Sequence, residues 1–185
     1  MKVSKAQASE NRDAIIRAAA AQLRLRGFDQ MSVAEVARAA GLTHGALYSH
    51  FKSKDELAAA AIRAAFAQTL QAFTGASMDD FLAWYLSASH RDHPEAGCPN
   101  AALAGEVARQ PATTQQAFRD GLENFVGLAG ETLERAGREH GRDRVITVFA
   151  AMVGGLALSR AIRDADPAGS DAILQAIASQ IQALI

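Results

Sequence analysis

The chain has 185 residues, 49% hydrophobic and 21% charged, with a formal charge of −1 and a single cysteine. That balance excludes a disordered or low-complexity chain, the lone cysteine excludes an intramolecular disulfide, and the length leaves room for one large domain or two that share an interface. Met1 to Ala8 has no apolar stretch after its lysines, and the longest apolar run, Val145 to Leu158, falls short of the roughly 18 residues at which a membrane span is suspected; the expectation is a cytoplasmic protein with no membrane partner.

Charge is unevenly placed. Residues 1–57 hold nine Lys or Arg against six Asp or Glu, whereas the remainder holds ten against fourteen. A basic head on an acidic body suits a nucleic-acid contact at one end, because phosphate neutralisation needs local rather than overall positive charge.

Apolar residues recur at three- and four-residue spacing almost throughout, so the expected class is all-α, with about nine helices. Pro94, Pro99, Pro111 and Pro167 fall where helices would begin or stop. A first helix spans about Glu10 to Arg26, with Ile15, Ala19 and Leu23 on one face, and ends at Gly27, a natural left-handed C-terminal position. Ser32-Val33-Ala34-Glu35 is a capping box that opens a second helix ending near Ala40. Thr43 is the N-cap of a short third helix reaching about His50, and Ser53-Lys54-Asp55-Glu56 is a second capping box. The long fourth helix carries Leu57, Ile62, Phe66, Leu70 and Phe73 and breaks at Thr74-Gly75-Ala76, the working boundary along the chain. The head is residues 1–57, with the start of helix four, and the body is 58–185.

In the body, Ser77 to Ser89 reads as one helix with Phe81, Leu82 and Tyr85 on a face, followed by an irregular polar segment, His90 to Gly97. A brief helix from Pro99 to Arg109 precedes the cleanest stripe in the chain, in Thr113 to Gly137: Phe118, Leu122, Phe125, Val126, Ala129 and Leu133. The last two helices span about Arg142 to Asp164 and Ser170 to Ile185, the second striped by Ile173, Ile177, Ile181 and Leu184. Gly154-Gly155 permits close approach of another helix and invites one from a second subunit, at a propensity cost of roughly 1 kcal/mol per glycine.

Ser32 to Phe51 has the parts of a helix-turn-helix: a capped first helix, small Ala37 at the crossing, Gly41 at the turn, and a core of Val33, Val36, Leu42, Leu47 and Phe51. The run Met31-Ser32-Val33-Ala34-Glu35-Val36-Ala37-Arg38-Ala39-Ala40-Gly41-Leu42-Thr43, continuing into Leu47-Tyr48-Ser49-His50-Phe51-Lys52-Ser53-Lys54-Asp55-Glu56-Leu57, resembles the DNA-binding signature of the TetR family of transcriptional regulators. The resemblance covers roughly the first third of the chain. It implies a three-helix head, a helical-bundle body for effector binding and dimerisation, two heads on a pseudo-palindromic operator in double-stranded DNA, and repression as the default.

Carried over by position, Ser32 and Thr43 would meet phosphates from helix N-termini, with Tyr48, His50 and Lys54 as further phosphate contacts. His44, Gly45 and Ala46 lie at the tip of the recognition helix, where base edges come within reach and Ala46 could touch a thymine methyl. Without the surrounding motif, Tyr48 and Phe51 read as core and Lys54 as a solvated helix start. The recognition helix has no Arg or Lys, so operator sequence is not legible. Lys2, Lys5 and Arg12 read as a frayed tail or an arm towards DNA.

For the body, the resemblance implies a small-molecule effector of unknown identity and a homodimer through the last two helices. Candidate pocket residues are Phe81, Trp84, Tyr85, Cys98, Asn100, Phe118, Phe125 and Met152, with Phe149 among the aromatic residues that could enclose a cavity, although helical stripes are needed for packing anyway. The resemblance also suggests that an effector tilts helix four and alters the separation of the two recognition helices. Cys98, at the N-cap before Pro99, is a redox-sensor candidate, because a helix N-terminus lowers a thiol pKa and His90, Arg91 and His93 could add positive charge; the alternative is a small buried hydrophobe. His90, Asp92, His93 and Cys98 lack the second close ligand pair of a zinc site, so no metal or cofactor is expected. Glu106 reads as a partner for a polar effector or for Arg109. An enzyme is not expected, since GxSxG, Walker A and GxGxxG are all absent; the rival function is a DNA-binding dimer without an effector.

Overall fold

A computed structural model describes residues 4–137 and 141–184, and among them it is built of helices alone. In chain order these are α1 (Lys5–Gln30), α2 (Val33–Ala39), α3 (His44–Tyr48), α4 (Lys54–Phe73), α5 (Met78–Tyr85), α6 (Ala88–Asp92), a 3₁₀ turn (Pro94–Ala96), α7 (Pro99–Val107), α8 (Ala112–Arg135), α9 (Arg142–Ile162) and α10 (Pro167–Leu184). Lys2 and Ile185, both part of the expectations above, lie outside the described residues.

The caps follow the sequence closely. The hydroxyls of Ser32, Thr43 and Ser53 accept from the N–H groups of Glu35, Ala46 and Glu56, three residues on in each case. The reciprocal half of each box differs from the expectation. Glu35 pairs with Arg26 of α1 instead of turning back to Ser32, and Glu56 accepts from the Lys52 N–H. α1 begins earlier than expected because Ser4 caps it, and the chain makes one more turn beyond Gly27. Gly27 itself has φ 78° and ψ −177°, a conformation essentially reserved for glycine.

The expected single helix over Ser77–Ser89 is two helices, α5 and α6. The Ser87 hydroxyl donates to the Trp84 carbonyl at 2.7 Å and accepts from the His90 N–H at 3.1 Å, so it closes one helix and opens the next. The segment expected to be irregular is therefore partly helical, and it is not a surface loop: His90 and Arg91 are buried. Each proline sits at a helix start, Pro94, Pro99 and Pro167 at first helical positions and Pro111 at the N-cap of α8.

α4 links the two halves of the molecule, packing on α1 at one side and along α8 at the other. A Cβ at Gly121 of α8 would run into the Phe66 ring of α4, so the glycine fixes that approach. α9 lies against α10, α8 and α7. A Cβ at Gly155 would sit 2.7 Å from Ile177 Cγ1, so the close helix approach expected from a second subunit is made at Gly155 by the chain's own α10; Gly154 faces open space. Ser159 and Ser170 clasp α9 to the first turn of α10, their hydroxyls 2.8 Å apart. By length and composition α9 could cross a membrane, yet in this fold it is a packed helix with 39% of its most apolar window buried.

Candidate functional site

The head presents a rigid base and an open face. Val36, Ala37, Leu47 and Phe51 are buried, with Val33 and Leu42 half-buried against them, which holds α3 on α2 and α2 on α1. Gly41, at φ 71°, reverses the chain between α2 and α3, and the Gly41 and Leu42 N–H groups close the end of α2 on the carbonyls of Arg38 and Ala37. The Arg12 guanidinium lies 4.2 Å from the Phe51 ring centroid, so Arg12 belongs to the packing of α1 and not to a DNA-seeking arm.

On the outward side, Thr43, His44 and Gly45 are exposed and Ala46, His50 and Ser32 are half-buried. Tyr48 is 49% exposed, which removes the core-packing alternative for it, while Phe51, at 1%, is core. The Tyr48 and His44 rings meet edge to face at 5.1 Å. Because the Ser32 and Thr43 hydroxyls only accept from their own helices, each keeps an O–H to donate outward. Lys54 is exposed, its ammonium 3.5 Å from the Asp29 carbonyl. Arg38, in the last turn of α2, is exposed as well, a cation near this face that the sequence reading did not single out.

In the body, most of the candidate pocket residues fill space rather than line it. Phe81, Tyr85, Phe125 and Phe149 form a chain of ring contacts with centroids 4.8–6.0 Å apart, and Met152 is buried with them. Trp84 stacks on His90 at 4.0 Å. What remains by Phe81 and Phe125 is a space of about 10 Å³. Asn100 and Phe118, by contrast, line a groove of about 260 Å³ between α7, α8 and α9, where Ala104, Leu122, Val126 and Phe149 supply apolar wall. Arg142 and Glu123 line it too, paired at 2.6 Å. Asn100 is 2% exposed, and its amide reaches only the Cys98 sulfur, at 3.4 Å.

Cys98 is the N-cap of α7, as expected, but it is fully buried, and burial pushes its thiol above the ordinary value in spite of the helix N-terminus. The positive charge expected from His90 is missing. Burial holds that imidazole at a pKa of about 4, with the backbone hydrogen bond to Tyr85 opposing and Arg160 adding to the depression. Both ring nitrogens are engaged: Nδ1 meets the Tyr85 carbonyl at 2.8 Å and Nε2 accepts from the Cys98 N–H at 2.9 Å, which places the proton on Nδ1. Arg91 is committed to Asp92, Asp171 and Ser170, and His93 is a surface residue beside Glu95. No group of three His, Cys, Asp or Glu poised for a metal occurs among the described residues.

Two arginines pin this segment from opposite sides. Arg24 of α1 donates to the Gly97 carbonyl and to Gln68 of α4, and Arg160 of α9 donates to the carbonyls of His90 and Arg91. Burial lowers the pKa of both, with Cys98 and Glu95 acting in the opposite direction on each. A further link joins head and body. Glu106 of α7 makes no salt bridge with Arg109; its Oε2 accepts from the Phe28 N–H at 2.9 Å, and its carboxylate occupies the space where any side chain at Gly27 would go.

Residues 15–61 match the family model of the bacterial regulatory proteins of the tetR family. Over 54 residues the chain is 44% identical to the HTH-type transcriptional repressor BepR of Brucella suis biovar 1 (strain 1330), a stretch amounting to 29% of this chain and 26% of BepR. The chain thus matches about a quarter of the length of that relative. Fold likeness extends much further. Superposition on the reduced form of E. coli NemR gives a TM-score of 0.75 at 19% identity, covering 92% of this chain and 94% of NemR. A TetR-family regulator from Agrobacterium tumefaciens gives 0.74 at 19%, covering 94% and 98%. FadR from Bacillus subtilis, in complex with stearoyl-CoA, gives 0.64 at 16%, again covering 94% and 98%.

Proposed function

We propose that the chain, whose N-terminal head matches the tetR family model over residues 15–61, is a cytoplasmic repressor that binds operator DNA as a homodimer and lets go when a small molecule enters the α7–α8–α9 groove. The observation that carries the reading is the outward face of α3. Thr43, His44, Gly45 and Tyr48 stand in solvent on a base fixed by buried Leu47 and Phe51, in the basic part of the chain. Tyr48, half in water and packed only edge to face on His44, presents its hydroxyl outward on this face. In the proposed complex, Ser32, Thr43, Tyr48, His50 and Lys54 hold phosphates and position the head, and His44, Gly45 and Ala46 face the base edges.

Pairing through α9 and α10 is supported by their exposed apolar surface. Leu158 is 61% exposed and Leu184 46%, and a Cβ at Gly154 would meet nothing within 4 Å, which leaves room for a second helix there. The groove favours an effector-responsive regulator over an effector-free one. Its size and walls suit a compact, largely apolar molecule with one polar group for Asn100, and at about 260 Å³ it is too small for a ligand like the stearoyl-CoA of FadR. Cys98, sealed and with a raised pKa, is a structural thiol in this reading, so release does not depend on its modification.

The test is binding of the purified protein to a duplex from beside its own gene against a scrambled duplex. Specific binding is expected, and Tyr48→Ala should weaken it about tenfold, the loss of roughly one charge-assisted hydrogen bond. Equal affinity for both duplexes would overturn the reading.

A further inference from the structure

α7 is a nine-residue helix with two occupied sides. Asn100 and Ala104, one turn apart, line the groove, while Glu106 reaches the end of α1. Leu103 and Val107 are buried between them, so the helix is held as a rigid rod. It packs on α8 and α9 at the groove and on α1 and α4 at the head.

Glu106 stands at an unusual place for a carboxylate. The C-terminal end of a helix carries partial negative charge, which disfavours an anion there. The side chain is kept in place by the Phe28 N–H, and Gly27 leaves it room, since a Cβ at that position would collide with the carboxylate. Phe28 and Met31 are buried and lead directly into Ser32, the cap of α2, so the bond fixes the start of the helix-turn-helix.

We propose that Glu106 is the tie by which occupancy of the groove reaches the DNA-binding head: a molecule lodged beside Asn100 and Ala104 displaces α7, the hold of Glu106 on Phe28 slackens, and α2 and α3 lose the setting that fits DNA. This rests on the groove being the effector site. Glu106 is a positioning residue; it touches neither effector nor DNA. What it supplies is a hydrogen-bond acceptor at a fixed place, so Glu106→Gln keeps the function while also relieving the unfavourable encounter of charge and helix end.

The experiment uses the whole protein and a groove-filling substitution, Ala104→Trp, in place of an effector. Two quantities are measured: hydrogen exchange of the Phe28 amide, which needs no DNA, and affinity for the duplex from beside the gene. Glu106→Ala should speed Phe28 exchange and weaken DNA binding, each about tenfold, and Glu106→Gln should leave both near the wild-type value. Ala104→Trp should speed Phe28 exchange in the otherwise native protein and add nothing when Glu106 is already Ala. Effects of Ala104→Trp and Glu106→Ala that multiply independently would overturn the tie. So would Phe28 exchange indifferent to Ala104→Trp. If the protein binds no duplex specifically, the proposed function fails, and the exchange arms still decide whether α7 and α1 are coupled.

Discussion

The head and the body handle polar groups in opposite ways. In the head, hydroxyls and imidazoles stand on the outside of a small apolar core: Thr43, His44 and Tyr48 are exposed over buried Val36, Leu47 and Phe51. In the body they are folded inward. His90, Arg91, Asn100, Ser159 and Ser170 are all buried, and Arg24 and Arg160 reach in to hold the segment that carries Cys98. A buried polar group must be satisfied by the fold and costs free energy if it is not, whereas an exposed one is free for a partner. The contrast separates residues that hold this protein together from residues available to a ligand as large as DNA.

Substitutions should therefore split by region, and the largest effect on stability should come from the base of the head. Phe51→Ala should cost about 3–5 kcal/mol in urea unfolding, whereas Tyr48→Ala, three positions away, should stay within about 0.5 kcal/mol. Equal costs would erase the distinction between base and face.

The second effect is a pH dependence from the body. The His90 pKa is lowered in the fold to about 4, from 6.5, so the unfolded chain takes up a proton before the native one does. Stability from this group is complete above pH 6.5, falls as pH drops from 6.5 to 4, and levels off below. The full loss is about 3 kcal/mol. Asp92, held below its ordinary value by Arg91, loses its contribution only below 3.8, so the two windows are separate. Unfolding followed from pH 7 to 4 checks this, and His90→Gln should flatten the slope; a slope unchanged by that substitution would assign it elsewhere.

Smaller effects sharpen the same line. Cys98, buried and with a raised pKa, should react with a thiol reagent at pH 7 at least about a hundredfold more slowly in the native protein than in urea, and labelling at the rate of the unfolded chain would show that the body opens there. Lys54→Ala should leave stability unchanged and lower the salt slope of DNA binding by about 1.

What the sequence made legible follows from the range of the interactions. Caps are made within three residues, so Ser32, Thr43 and Ser53 could be placed from local chemistry, as could Gly41 and the helix-turn-helix core. The family resemblance supplied the arrangement of head and bundle. The split of the expected fifth helix depends on Ser87 bonding both ways, a local signal hidden in an otherwise continuous helical pattern. The Arg24–Gly97 and Arg91–Asp171 contacts join residues 73 and 80 positions apart, and no periodicity announces them. For the same reason the sequence offered a reactive N-cap thiolate for Cys98 only as the lesser alternative to a buried hydrophobe: its spacing fixes the cap, but only the packing of His90, Tyr85 and Arg160 around it decides its environment. Glu106 belongs to this class as well, since its partner, Phe28, lies 78 positions earlier.

The most direct test of the central claim is selection of duplexes from a random pool by the full-length protein, repeated with His44→Ala, which removes a side chain assigned to the base edges. The account predicts enrichment of an inverted repeat with half-sites about one helical turn, roughly 34 Å, apart, and a loss of that enrichment in the variant. A pool that stays random, or a variant that selects the same sequences as strongly, would contradict it.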